Sequence, residues 1–126
     1  MFVLSGSSAF PGAPKESAAE VMTNVDVPVG FAVGGAEDIA SGNAQQDFEL
    51  LPEGVPGYVA HRSEGTHEKV STDAGILLEV AEISTNWLDF TLYRTPTVKQ
   101  TLLEKPCSTC AAGTWTVEAK NLHAAH

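Results

Sequence analysis

The sequence predicts an α/β fold built on a parallel sheet, and two observations lead to this prediction. Residues 27–33 form a continuous apolar run rich in β-branched side chains, which is typical of a strand covered on both faces. Strand-like and helix-like segments also alternate along the chain and end in a long amphipathic helix. This alternation predicts about three parallel strands joined by right-handed crossover helices.

The first part of the chain predicts a strand, a short helix and a second strand. Residues 2–6 are apolar and end in small residues, and the proline-rich loop that follows them cannot continue a strand. Residues 17–20 (Ser-Ala-Ala-Glu) have the capping-box pattern, so we expect a helix to begin at Ser17. Its apolar face would comprise Ala18, Val21 and Met22. The second strand, residues 27–33, ends at Gly34 and Gly35.

The middle of the chain predicts a second helix and a third strand. Either Ser41 or Asn43 could cap the helix. Its apolar face would comprise Ala44, Phe48 and Leu51. Residues 55–60 read as the third strand, which we place toward an edge of the sheet because it contains Pro56 and Gly57.

The long helix is predicted from Asp73 to Tyr93 because apolar residues recur there every three or four positions. These are Ile76, Val80, Ile83, Trp87 and Phe90, with Leu77, Ala81, Leu88 and Leu92 widening the stripe. Residues 95–126 predict an irregular tail, in which residues 114–117 could add a short strand.

Composition limits the classes of partner. The 126 residues include 43% hydrophobic side chains, enough for one globular domain at most, or part of one. The formal net charge of -9 and the lack of clustered Lys and Arg argue against nucleic acid and anionic membranes as partners. No apolar run approaches the roughly 18 residues of a spanning helix, and no export signal is recognised at Met1.

Cys107 and Cys110 form a C-x-x-C pair with three interpretations. A zinc site would need two more ligands, for which His123 and His126 are the candidates. A thioredoxin-like redox motif belongs at a strand-to-helix junction rather than in a tail. A short-loop disulfide fits the context best and implies an oxidising compartment.

Two loops carry residues suited to catalysis. Glu37 and Asp38 follow the second strand, and His67 follows the third. Asp38 could simply cap the next helix, and His67 could be a solvated loop histidine. Taken together, however, an acid after one strand and a histidine after the next follow the order of the last two members of an α/β-hydrolase triad.

These segments resemble the secreted α/β-hydrolases related to the dienelactone hydrolase and polyester-esterase group. The likeness covers residues 27–40, residues 43–48, the histidine loop, the helix around residues 86–92 and the cysteine-containing tail. It implies a partial α/β-hydrolase fold over residues 1–94 and a C-terminal extension over residues 95–126. Asp38 would be the triad acid, with Glu37 as a second candidate, and His67 the base. An ester substrate, no cofactor and an extracellular or cell-envelope location are also implied.

The sequence departs from this family in two ways. Thr66 precedes His67 where relatives often have Gly, and no G-x-S-x-G nucleophile motif is found. Ser5 and Ser7 lie close together but lack the motif's spacing. The chain is therefore expected to be the C-terminal half of a serine esterase, with an open first-strand edge that associates with a second copy or a complementing chain. The alternatives are a non-catalytic α/β binding module and a metal-binding or redox tail domain.

Overall fold

A computed structural model describes residues 1–4 and 15–125 of the chain. Its strands are β1 (Phe2–Leu4), β2 (Val29–Val33), β3 (Gly57–Arg62) and β4 (Trp115–Lys120). Its helices are α1 (Lys15–Met22), α2 (Ser41–Leu50), α3 (His67–Thr72), α4 (Ala74–Leu92) and α5 (Pro96–Glu104), followed by a 3₁₀ turn at Leu122–Ala125. The end of the first predicted strand, including Ser5, lies outside the described residues.

The four strands form one sheet in the order β1-β2-β3-β4. Strands β1, β2 and β3 are parallel to one another, whereas β4 pairs antiparallel with β3. The predicted α/β class with three parallel strands is therefore confirmed. All five residues of β2 are buried, as the continuous apolar run predicted.

The edge position predicted for the third strand is wrong, because β4 pairs along its full length and makes β3 internal. Pro56 precedes β3, so it removes no hydrogen bond from the sheet, and its carbonyl oxygen accepts from Val29 N at 3.0 Å. A Cβ on Gly57 would lie 2.7 Å from the Leu51 side chain. Glycine is needed there so that α2 can pack closely against the sheet.

Two hydrophobic clusters cover the two faces of the sheet. Helices α4 and α5 contribute to one cluster, together with Tyr58 and Ala60 of β3. Helices α1 and α2 contribute to the other, together with Phe31 and Val33 of β2. The sheet is thus the middle layer of three, which accounts for the burial of its central strand.

Helix α4 is the element that the sequence predicted best. Asp73 is its N-cap, and the Asp73 carboxylate accepts a hydrogen bond from Ile76 N at 3.0 Å. The buried residues are those that the periodicity predicted, namely Ile76, Val80, Ile83, Trp87 and Phe90. The stripe is narrower than expected, however, because Ala81, Leu88 and Leu92 are exposed.

The predicted caps of α1 and α2 are wrong. Ser17 lies inside α1 rather than at its start, and Val21 of the predicted apolar face is 52% exposed. Helix α2 begins at Ser41, but the N-cap position is Ala40, which makes no side-chain hydrogen bond. Ser41 instead contacts a histidine of β3, so a tertiary contact replaces the local cap.

The tail is more regular than the sequence predicted. It contains α5 and β4, and β4 extends the strand predicted at residues 114–117 to Lys120. Cys107 and Cys110 form a disulfide, with their Cα atoms 5.4 Å apart. In the part of the chain that the structure describes, none of the helices has the length and apolar character needed to cross a bilayer.

Candidate functional site

The candidate site lies at the edge of the sheet where β2 and β3 end. These strands are parallel neighbours, with Val33 of β2 opposite His61 of β3. Their following loops therefore emerge side by side. Gly35 N donates to Gly65 O at 3.0 Å, which ties the acid loop to the histidine loop.

Gly34 makes this close approach possible. A Cβ at this position would collide with the carbonyl oxygen of Gly65 and lie 3.0 Å from Asp38 Oδ2. Gly35 is similarly confined, since a Cβ there would lie 3.0 Å from the carbonyl oxygen of Ser63. The contact between the two loops therefore requires Gly34, whereas a side chain at Gly35 would push the carbonyl oxygen of Ser63 away by a few tenths of an ångström.

Asp38 is buried in the turn after β2 and has a side-chain exposure of 0%. Its Oδ2 accepts from Gly34 N at 2.7 Å, and its Oδ1 accepts from Ala40 N at 2.8 Å. These bonds hold both carboxylate oxygens in the turn itself. Asp38 is not the N-cap of α2, which is Ala40, but it precedes the helix and its Oδ1 binds Ala40 N, so the structural interpretation of this carboxylate applies alongside the catalytic one.

His67 is the first residue of α3, directly after the N-cap Thr66, whose side chain accepts from Lys69 N. A threonine at this position therefore has a local function in starting the helix. His67 Nδ1 lies 2.9 Å from Asp38 Oδ1, while 44% of the His67 side chain remains exposed. The structure thus brings together the two residues that the loop order singled out. Glu37, the second candidate for the acid, is exposed.

The contact between Asp38 and His67 fixes the orientation of the imidazole. A carboxylate oxygen can only accept, so the hydrogen bond requires the proton of His67 to be on Nδ1. In the neutral ring, Nε2 then carries the free lone pair. Within the described residues, His67 Nε2 makes no hydrogen bond. An oriented imidazole with an accessible Nε2 can act as a general base.

A charged cleft of about 600 Å³ opens beside the two loops. Arg62 Nε lies 3.0 Å from Glu79 Oε2, and Trp115 Nε1 donates to the same oxygen at 2.9 Å. The other charged residues that line the cleft are Glu37, Glu64, Lys69 and Asp73. The cleft is therefore lined mostly by charged side chains, and neither Asp38 nor His67 is among its lining residues.

Sequence reasoning missed a second histidine site at the same edge of the sheet. His61 Nδ1 lies 2.9 Å from Ser41 Oγ, and His61 Nε2 lies 2.8 Å from Gln45 Oε1. Burial lowers the pKa of His61 below its ordinary value of 6.5, against the opposing charges of Glu118 and Asp38. The available signal was the position of His61 at the end of a strand, opposite the start of a helix.

The other site predictions have different outcomes. The disulfide occupies the thiols of Cys107 and Cys110, on which the zinc and redox alternatives depend. Among the described residues, no group of three or more His, Cys, Asp and Glu could hold a metal ion. Ser5, Ser7 and His126 lie outside the described residues.

No model of a known protein family matches the chain, and no curated protein matches it at significant similarity.

Proposed function

We propose that this chain supplies the acid and base of an ester-cleaving serine hydrolase of the α/β-hydrolase type. The observation that carries the proposal is the 2.9 Å contact between His67 Nδ1 and the buried carboxylate of Asp38. The parallel order of β2 and β3 and the resemblance to dienelactone and polyester esterases add support. The disulfide is compatible with the extracellular location that the resemblance implies.

In the proposed reaction, His67 Nε2 takes a proton from the attacking hydroxyl group or water and later returns a proton to the leaving alcohol. Asp38 holds the ring and stabilises the imidazolium that forms. The serine that His67 would activate, and its oxyanion donors, would come from outside the described residues. Without them, the Asp38–His67 pair can supply only general-base assistance to water, so its own contribution to hydrolysis should be slight.

Hydrolysis of a p-nitrophenyl ester tests the proposal. With Ser41 replaced by Ala in every sample, so that the hydroxyl group beside His61 contributes nothing, we expect the chain to exceed the buffer rate slightly. The His67→Ala variant should lose this excess because its base is gone. Asp38→Asn should lower it too, since an amide in place of the carboxylate no longer stabilises the imidazolium.

The matched control is His123→Ala, which removes an exposed histidine from the 3₁₀ turn far along the chain. It should hydrolyse the ester at the unmodified rate. Hydrolysis in the Ser41→Ala background that survives His67→Ala undiminished would contradict the proposal.

A further inference from the structure

Ser41, His61 and Gln45 form a chain of hydrogen bonds that the Asp38–His67 pair does not use. Ser41 Oγ contacts His61 Nδ1 at 2.9 Å, and the opposite ring nitrogen contacts Gln45 Oε1 at 2.8 Å. A hydroxyl group, an imidazole and a carboxamide oxygen in this order correspond to the Cys-His-Asn arrangement of papain-like proteases, with oxygen in place of sulfur. We propose that Ser41 is a nucleophilic serine, activated by His61, that is acylated by esters.

The surrounding contacts fix which ring nitrogen carries the proton. Gln45 Nε2 donates to Glu49 Oε1 at 3.2 Å and reaches Glu118 Oε1 at 3.4 Å. Because the amide nitrogen of Gln45 faces these two carboxylates, the amide oxygen faces His61, where it can only accept a hydrogen bond. His61 Nε2 therefore carries the hydrogen, and Nδ1 is free to accept from Ser41 Oγ–H.

The positions of the two residues suit a nucleophile and its base. His61 lies in β3, which is internal to the sheet, so its backbone is held on both sides. Ser41 is the first residue of α2, and its own N–H donates to Asp38 O at 3.0 Å, which holds the start of the helix in place. Gly42 follows, and a Cβ added to it would meet nothing within 4 Å, so space is open beside Ser41.

In the proposed step, Ser41 Oγ attacks the ester carbonyl carbon while its proton moves to His61 Nδ1. The carbon–oxygen bond to the alcohol then breaks, and the His61 proton passes to the leaving oxygen. The products are an acyl-Ser41 and a free alcohol. Water, deprotonated by the same His61 nitrogen, then releases the carboxylic acid and restores the serine.

Labelling of the full chain with an alkyl fluorophosphonate, followed by peptide mass mapping, tests this proposal. The probe forms a phosphorus–oxygen bond to an activated serine and loses fluoride. We expect one adduct, on Ser41, that is absent from Ser41→Ala. His61→Ala should slow labelling roughly a hundredfold, which is the contribution of a general base.

Two further variants complete the test. Gln45→Ala removes only the amide that orients the ring, so it should slow labelling while the fold is retained. This variant therefore tests the proposal even if His61→Ala does not fold. Ser71→Ala removes a hydroxyl from the surface of α3 and should leave labelling unchanged. An adduct on another serine, no adduct, or Ser41 labelling independent of both His61 and Gln45 would overturn the proposal. Loss of the adduct in His67→Ala would also overturn it, since it would assign the reactive serine to the Asp38–His67 pair.

Discussion

Two histidines near the same edge of the sheet use their Nδ1 atoms in opposite ways. His67 Nδ1 donates to a carboxylate, whereas His61 Nδ1 accepts from a hydroxyl group. The neutral rings are therefore opposite tautomers, each set by the partner of one nitrogen. His67 offers its free nitrogen to solvent, while His61 has both nitrogens engaged inside the protein.

The partner of one of these histidines could be predicted from the sequence, and that of the other could not. Asp38 and His67 follow adjacent strands, and loops after adjacent parallel strands meet, so their contact follows from the strand order alone. The contact of Ser41 with His61 depends on how far α2 extends toward its N-terminus. The sequence offered both Ser41 and Asn43 as the N-cap of α2, and in the structure the N-cap is Ala40 instead.

The burial of His61 leads to a prediction about pH. Because the pKa of His61 is lowered in the folded chain from 6.5, the unfolded chain binds more protons below that value. The stability that His61 contributes is therefore fully present above about pH 6.5 and is lost as the pH falls toward the folded pKa. Urea unfolding at a series of pH values should show this loss, on top of any contribution from other groups.

The comparison variant for this prediction is His61→Gln, which keeps a polar side chain but does not titrate. It should show a shallower decrease in the free energy of unfolding between about pH 7.5 and pH 5.5 than the unmodified chain. Equal decreases in the two proteins would show that His61 has an unperturbed pKa, contrary to its buried position.

At the scale of elements, α4 shows which features of a helix its hydrophobic periodicity can predict and which it cannot. The positions of its five buried residues were predicted because they depend on spacing alone. The exposure of its other apolar residues was not, because it depends on which elements pack beside the helix. Leu78 is 71% exposed, Leu92 is 66% exposed, and Tyr93 is 76% exposed.

Helix α4 also lies, through its buried face, beside the open edge of the sheet. Trp87 Nε1 donates to Met1 O at 3.1 Å, so the helix lies against the start of the chain next to β1. Within the described residues, β1 pairs with β2 alone and its outer edge has no strand beside it. The exposed apolar residues of α4 and the unpaired edge of β1 each favour association, which keeps the predicted dimer or complementing chain as an expectation.

We therefore predict that the chain self-associates at micromolar concentration and that the double variant Leu78→Ser/Leu92→Ser shifts it toward the monomer. Light scattering at several concentrations measures this shift. Val21→Ser is the matched control, because Val21 is 52% exposed on α1, which packs against the opposite face of the sheet. A monomeric unmodified chain, or equal effects of the variant and its control, would count against association through α4.

At the scale of the whole molecule, the sequence predicted the parallel part of the sheet but not the position of β3. The first three strands pair in the order in which they occur along the chain, so their arrangement could be inferred from the alternation of strands and helices. The neighbour of β3 on its other side is β4, which is separated from it by α3, α4 and α5. The local pattern indicated a short strand at residues 114–117, but nothing in that pattern indicates which strand it pairs with.

The site itself is a property of the whole fold. Asp38 and His67 are 29 residues apart, and they meet because β2 and β3 pair in register and Gly34 allows their loops to touch. The central claim of this account is that the fold presents His67 as a carboxylate-oriented base. The tautomer of His67 in the folded chain reports on that claim without reference to any substrate.

Nitrogen-15 NMR of the imidazole rings near neutral pH measures this tautomer directly. We predict that neutral His67 carries its proton on Nδ1 and has an unprotonated Nε2, and that Asp38→Asn removes this preference. His123→Ala, in which the pair is untouched, should leave the His67 signals unchanged. A neutral His67 that carries its proton mainly on Nε2, with signals unaffected by Asp38→Asn, would contradict the account.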